Sequence, residues 1–151
     1  MPIDTTGTQI TGRCYCGAIS FRATAWPTAV AYCHCIDCRR VTGAPVAAFA
    51  AFPEGAVVFL PNEGRSIEAN SGALRSFCAN CGSSLTGRYA YLPGQVYVPL
   101  GIIDQADALP PQIHAHGSQC LSWLRIEDGL TRASDSARKT LVGASCDQSP
   151  G

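Results

Sequence analysis

Charge is scarce in this chain: only 15% of its 151 residues are Asp, Glu, Lys or Arg, and the formal net charge at pH 7 is zero. Phosphate-backbone binding rests on clustered Lys and Arg, and the one dense cluster here is Arg39 and Arg40, so a nucleic-acid partner is not expected. Long apolar runs are missing too. The longest, APVAAFAAF at 44–52, falls far short of the roughly 20 residues a spanning helix needs, which argues against a membrane partner. The N-terminal stretch MPIDTTGTQITGRC carries neither the basic segment nor the apolar core of a secretory signal. A cytoplasmic protein is the expectation. No stretch carries a long amphipathic helix, and no solenoid-type repeat is present.

What is there is apolar and rich in cysteine. The 46% hydrophobic content and the length fit one globular domain, burying roughly 68–70% of its unfolded surface. Nine cysteines are an odd number for a disulfide framework. Their spacing is more informative. Cys14 and Cys16 form C-x-C, Cys33, Cys35 and Cys38 form C-x-C-x-x-C, and Cys78 and Cys81 form C-x-x-C, with Cys120 and Cys146 alone. Disulfides at such separations are strained, whereas one turn can aim two sulfurs at a single ion.

The clustered thiols number seven, one short of two closed four-cysteine sites. A closed tetrahedral site is structural, and a site with three protein ligands keeps a position for water or substrate. The triplet Cys33, Cys35 and Cys38 is the natural candidate for the open site, because its ligands come from one short segment. Cys14 and Cys16 can pair either with Cys78 and Cys81 or with Cys33 and Cys35; spacing leaves both open. His34 offers a possible fourth donor, but alternate side chains of extended backbone point to opposite faces, which turns it away from Cys33 and Cys35.

The fold pattern is mostly strand. GAISFRATA (17–25) alternates after a glycine, and VAAFAAF (46–52) and AVVFL (56–60) flank the turn signal PEG. ALRSF (73–77) runs into CANCGSSL, whose glycine suits the tight turn of a metal knuckle. QVYVPLGII (95–103) reads as a further strand, with Pro99 pointing to an edge or a bulge. Residues 36–42 suit one helical turn at most. From about residue 134 the chain turns small and polar and reads as a loose tail. A mainly β fold with little helix is expected.

GRCYCGAISF, YCHCIDCRRVTG, FCANCGSSL and the stretch from HAHGSQCLSW to EDGL together resemble the glutathione-dependent formaldehyde-activating enzyme family. The resemblance covers residues 10–133, leaving 1–9 as an N-terminal extension and 134–151 as the tail. It implies the β-tent fold, small antiparallel sheets held by zinc knuckles, a domain also found in centromere-protein-V-like proteins. It matches Cys14, Cys16, Cys78 and Cys81 to ligands of a structural zinc, and Cys33, Cys35 and Cys38 to ligands of a second, catalytic zinc that can be labile. The activity it implies is a carbon–sulfur lyase's, joining glutathione and formaldehyde into S-hydroxymethylglutathione or cleaving that bond. Three thiolates blunt the Lewis acidity of an ion, so holding a fourth sulfur suits such a site at least as well as polarising the aldehyde.

Arg39 and Arg40 match the family's basic pair and are candidates to hold substrate carboxylates in a bidentate fork, or else to offset thiolate charge. His114 falls where the family often has a histidine and reads as buried and hydrogen-bonded. His116 reads as a surface residue, and Trp26 and Trp123 as core. Relatives commonly carry a lysine where this chain has Cys120 and a proline where it has Ser122. Cys120 reads as a small free thiol, with a second role as a ligand closing the open site as the sharper option. The alternative to an enzyme is a non-catalytic zinc module that binds protein; the open site separates the two. Seven thiolates outweigh two Zn²⁺ by three charges, so the loaded protein carries about −3, which again disfavours nucleic acid.

Overall fold

The computed structural model describes residues 9–142 apart from residue 70. Ten strands dominate it: β1 (Ile10–Arg13), β2 (Ser20–Ala23), β3 (Ala29–Cys33), β4 (Ala47–Pro53), β5 (Val57–Leu60), β6 (Arg65–Glu68), β7 (Leu74–Phe77), β8 (Ser84–Arg88), β9 (Gln95–Pro99) and β10 (Ile113–Ala115). Two short helices, α1 (Ile36–Thr42) and α2 (Arg138–Val142), complete the regular structure with four 3₁₀ turns. The strands form a three-stranded sheet in the order β1-β2-β5 and a seven-stranded sheet in the order β10-β3-β4-β9-β8-β7-β6. The fold is therefore mainly β with little helix, as the sequence indicates. One pair departs from an all-antiparallel scheme: β10 runs parallel to β3, placing Ala115 opposite Cys33.

The two sheets are organised by the pleat. In β2, Phe21 and Ala23 are buried while Ser20 and Arg22 face solvent, so the small sheet has one wet side. β4 is buried on both faces. Its Ala50 and Phe52 join Ile10, Phe21, Ala23, Val30, Val96 and Val98 between the two sheets. Its Phe49 and Ala51 point the other way, into a cluster with Ala31, Cys38, Ile113 and Leu141 that α1 and α2 cover.

Several expectations are corrected. Pro99 closes β9 opposite Phe49, and β9 lies between β4 and β8. A proline that ends a strand leaves the ladder ahead of it intact, so neither an edge nor a bulge is required. The segment after Pro99 leaves the strand as a 3₁₀ turn, Leu100–Ile102. Residues 36–42 make a seven-residue helix, about two turns, because Cys35 caps it: its sulfur accepts from the Cys38 N–H. Trp123 is 65% exposed, while Trp26 packs against the inter-sheet cluster. The expected tail differs over its described part, where α2 buries Leu141 and the preceding Ala137 into the core. Residues 143–151, with Cys146, lie outside the described part, as do residues 1–8.

Candidate metal centres

Two turns bring four sulfurs together. The β1–β2 connection carries Cys14 and Cys16, and the β7–β8 connection carries Cys78 and Cys81; the four sulfurs lie within 4.8 Å of one another. One hairpin belongs to each sheet, so the cluster ties the two sheets at one end. Gly82, at φ 81°, lets the chain reverse so that its N–H reaches the Cys78 carbonyl at 2.7 Å. Backbone N–H groups of Ile19 and Ala18 donate to Cys14 Sγ and Cys16 Sγ at 3.3 and 3.5 Å. The Ser83 hydroxyl stands 3.2 Å from Cys81 Sγ; with nearby backbone donors it holds that thiol down to about 5. Such donors stabilise sulfur as thiolate.

The second cluster is built by the end of one strand and the start of one helix. Cys33 ends β3, Cys35 caps α1 and Cys38 sits one turn in, and their sulfurs lie within 4.8 Å of one another. The Cys33 thiol donates to Cys35 Sγ at 3.4 Å, and the Cys38 backbone N–H donates to it at 3.2 Å. The hydrogen bond from Cys33, then those from Cys38, hold Cys35 well below the usual thiol range, while donating to it pushes Cys33 up. Cys35 is the ready anion of the set.

The sulfur spacing tests a metal directly. A tetrahedral ion with bonds of about 2.3 Å holds its sulfurs about 3.8 Å apart, whereas a disulfide holds them at about 2.05 Å. The separations are 3.6 Å for Cys14–Cys16, 3.8 Å for Cys16–Cys78 and 3.4 Å for Cys33–Cys35. Both clusters fit a thiolate-bound ion such as zinc, and both can hold one. Of the pairings left open by spacing, Cys14 and Cys16 stand with Cys78 and Cys81.

A cavity of about 280 Å³ opens beside the triplet. Its lining includes Cys35, Cys38, Arg75, Tyr89, Tyr91 and His116. Tyr91 and His116 also border a wider groove of about 1060 Å³ along residues 131–140. Arg75 is 5% exposed; it pairs with Asp37 at 3.0 Å, reaches Cys38 Sγ at 4.0 Å and donates to the Tyr89 hydroxyl at 3.1 Å. Desolvation and the neighbouring charge of Cys38 push Tyr89 far up, so it keeps its proton.

The sequence-predicted residues fall into three groups. The seven clustered cysteines come together as two sets. Arg39 and Arg40 sit in the last turn of α1, outside the lining of this cavity, and the cation at its wall is Arg75. Cys120 turns its sulfur toward the Leu121 carbonyl at 3.4 Å and belongs to neither cluster, so it closes no site. His34 is 3% exposed and faces away from the sulfurs, its Nε2 meeting His114 Nδ1 at 2.8 Å. His114 is 1% exposed, and its Nε2 meets the Asp128 carboxylate at 2.7 Å. That chain braces the β10–β3 pair beneath the triplet.

His116 departs from its surface reading: at φ 53° it turns into the mouth where the cavities meet. Arg75, Tyr89 and Tyr91 carry no motif, since they sit on β7 and in the loop after β8, far in sequence from the triplet. Only the register of those strands brings them to it.

The chain matches the family described as glutathione-dependent formaldehyde-activating enzyme over residues 9–119. It is 34% identical over 84 residues to an uncharacterized lyase of Schizosaccharomyces pombe, a match spanning 56% of this chain and 59% of that relative's length. A crystal structure of a Rhodobacter sphaeroides protein, a structural genomics target, shares the fold at TM-score 0.52 and 18% identity, covering 82% of this chain and 99% of the other.

Proposed function

The chain belongs to the glutathione-dependent formaldehyde-activating enzyme family, and from that premise we propose that it is a carbon–sulfur lyase-type enzyme handling thiol–aldehyde adducts. Glutathione with formaldehyde, giving S-hydroxymethylglutathione, is the pair the family description supports. In this reading Cys14, Cys16, Cys78 and Cys81 hold a structural zinc, and Cys33, Cys35 and Cys38 hold a second zinc with one position left for substrate. The observation that carries it is the asymmetry of the clusters: four sulfurs close one, and three sulfurs beside a cavity of about 280 Å³ leave the other open.

Bound by the triplet, zinc would supply the positive charge that keeps a substrate thiol ionised at neutral pH. The residues around it do the rest. The cavity admits a small aldehyde beside the sulfurs, with Tyr89 and Tyr91 in its lining. Arg75 places a cation at the wall, suited to an anionic thiol or a developing oxyanion. The wider groove, bordered by Arg138 and Lys139, suits the body of a carboxylate-bearing thiol larger than the cavity itself.

The test is exchange of formaldehyde between its free and glutathione-bound forms, followed by NMR exchange spectroscopy. Zinc-loaded protein should accelerate exchange in proportion to its concentration, and Cys35→Ser should abolish the acceleration. Equal rates with both proteins would refute the reading and leave the non-catalytic, protein-binding zinc module in its place.

A further inference from the structure

One group at the cavity is placed for chemistry that neither the sulfurs nor the metal sites account for. The Tyr89 hydroxyl accepts a hydrogen bond from Arg75 Nη1 at 3.1 Å, and among the described residues nothing accepts the hydroxyl's own proton. The guanidinium also lies 5.3 Å from the centre of the Tyr89 ring. Arg75 is itself held, since its Nη2 donates to Asp37 at 3.0 Å and stands 4.0 Å from Cys38 Sγ. Gly87 keeps the room open: a Cβ there would stand 2.7 Å from the Tyr89 hydroxyl and 3.4 Å from Arg75 Nη1. A hydroxyl that accepts from a buried cation donates more strongly through its remaining proton. Tyr89 lines the same cavity as Cys35 and Cys38.

We propose that the Tyr89 hydroxyl, positioned and polarised by Arg75, is the group that binds the aldehyde oxygen in this site. The inference rests on the thiol–aldehyde reading above. In the forward direction the thiolate sulfur donates a pair to the aldehyde carbon and a C–S bond forms. The π pair of the C=O bond moves to oxygen, where the Tyr89 O–H meets the growing negative charge. That oxygen then takes up one proton, equal to the one the thiol lost, so thiol plus aldehyde becomes hydroxymethyl thioether with nothing left over. In reverse the same O–H steadies the oxygen as the C–S bond breaks. Donors preset where charge develops contribute to rate without reorganising. Tyr89 is thus a catalytic residue and Arg75 a positioning one.

Calorimetric titration of zinc-loaded protein with glutathione, alone and pre-equilibrated with formaldehyde, tests it without relying on turnover. Formaldehyde should tighten binding to the wild type. Tyr89→Phe should keep its zinc and its affinity for glutathione alone, yet lose the tightening, a loss on the order of tenfold. Its kcat should fall on the order of 10²-fold with KM for glutathione little changed. Arg75→Lys, which keeps the charge but not the two-armed grip, should retain part of the tightening. The same tightening in Tyr89→Phe as in the wild type would overturn the inference. So would glutathione binding that formaldehyde leaves unchanged in the wild type, while the thiol reading stood. If glutathione fails to bind the wild type at all, that reading falls and takes the inference with it.

Discussion

At the scale of single residues, the outcome turns on where polar groups find partners. Asp128 accepts from the Leu130 N–H, from His114 and from Arg132. Against the upward pull of desolvation, the Leu130 bond and then those from His114 and Arg132 hold it below the usual carboxylate range. A depressed carboxylate contributes stability that is fully present above its unfolded value of about 3.9 and is lost as pH falls toward its folded value. The stability difference between wild type and Asp128→Asn, measured by urea unfolding, should therefore favour the wild type at pH 7 and shrink as pH falls below about 4. A constant difference across that range would contradict the role given to the carboxylate. Cys120→Ser should leave metal content unchanged and stability within about 0.5 kcal/mol, because that sulfur serves neither cluster. The seven cluster cysteines were legible because metal binding needs short spacings that survive in sequence. Arg75 and Tyr89 were not, because their meeting is a product of the β7–β8 register, and an isolated Arg or Tyr looks like any other.

At the scale of elements, strands with a clear alternating or apolar signal are readable in the sequence and the others are not. β2 alternates, and β4 reads as a short apolar run. β3 hides because alanines flank its pattern, and β6 hides because all four of its residues are exposed and carry no apolar signal. β10 is three residues long and owes its strand geometry to β3 beside it. α1 came out longer than expected because a cysteine supplies the cap that serine or aspartate usually signals. β4 should be the most sensitive element. Phe52 is fully buried between the sheets, so Phe52→Ala should cost about 3–5 kcal/mol in chemical denaturation. Gly87→Ala offers a second check, since its Cβ would press on the Tyr89 hydroxyl. It should lower turnover more than it lowers stability, and the reverse order would argue that the β8 glycine serves packing alone.

At the scale of the whole molecule, in the proposed reading, the two clusters divide the work of holding and of reacting. The four-sulfur cluster joins hairpins from different sheets, so an ion bound there would contribute to folding itself. The three-sulfur cluster sits on one strand–helix corner that hydrogen bonds and the core already support. Cys78→Ser should therefore unfold the chain, seen as loss of β-sheet circular dichroism, whereas Cys35→Ser should keep the fold. Unfolding to the same extent in both would remove the distinction between the sites. Among the described residues no helix is long and apolar enough to cross a membrane. The most direct measurement of the central claim is zinc per chain by elemental analysis, on fresh protein dialysed with and without glutathione. The account predicts two zincs, one tightly held and one whose retention changes with glutathione. A single tight zinc, indifferent to glutathione, would contradict it.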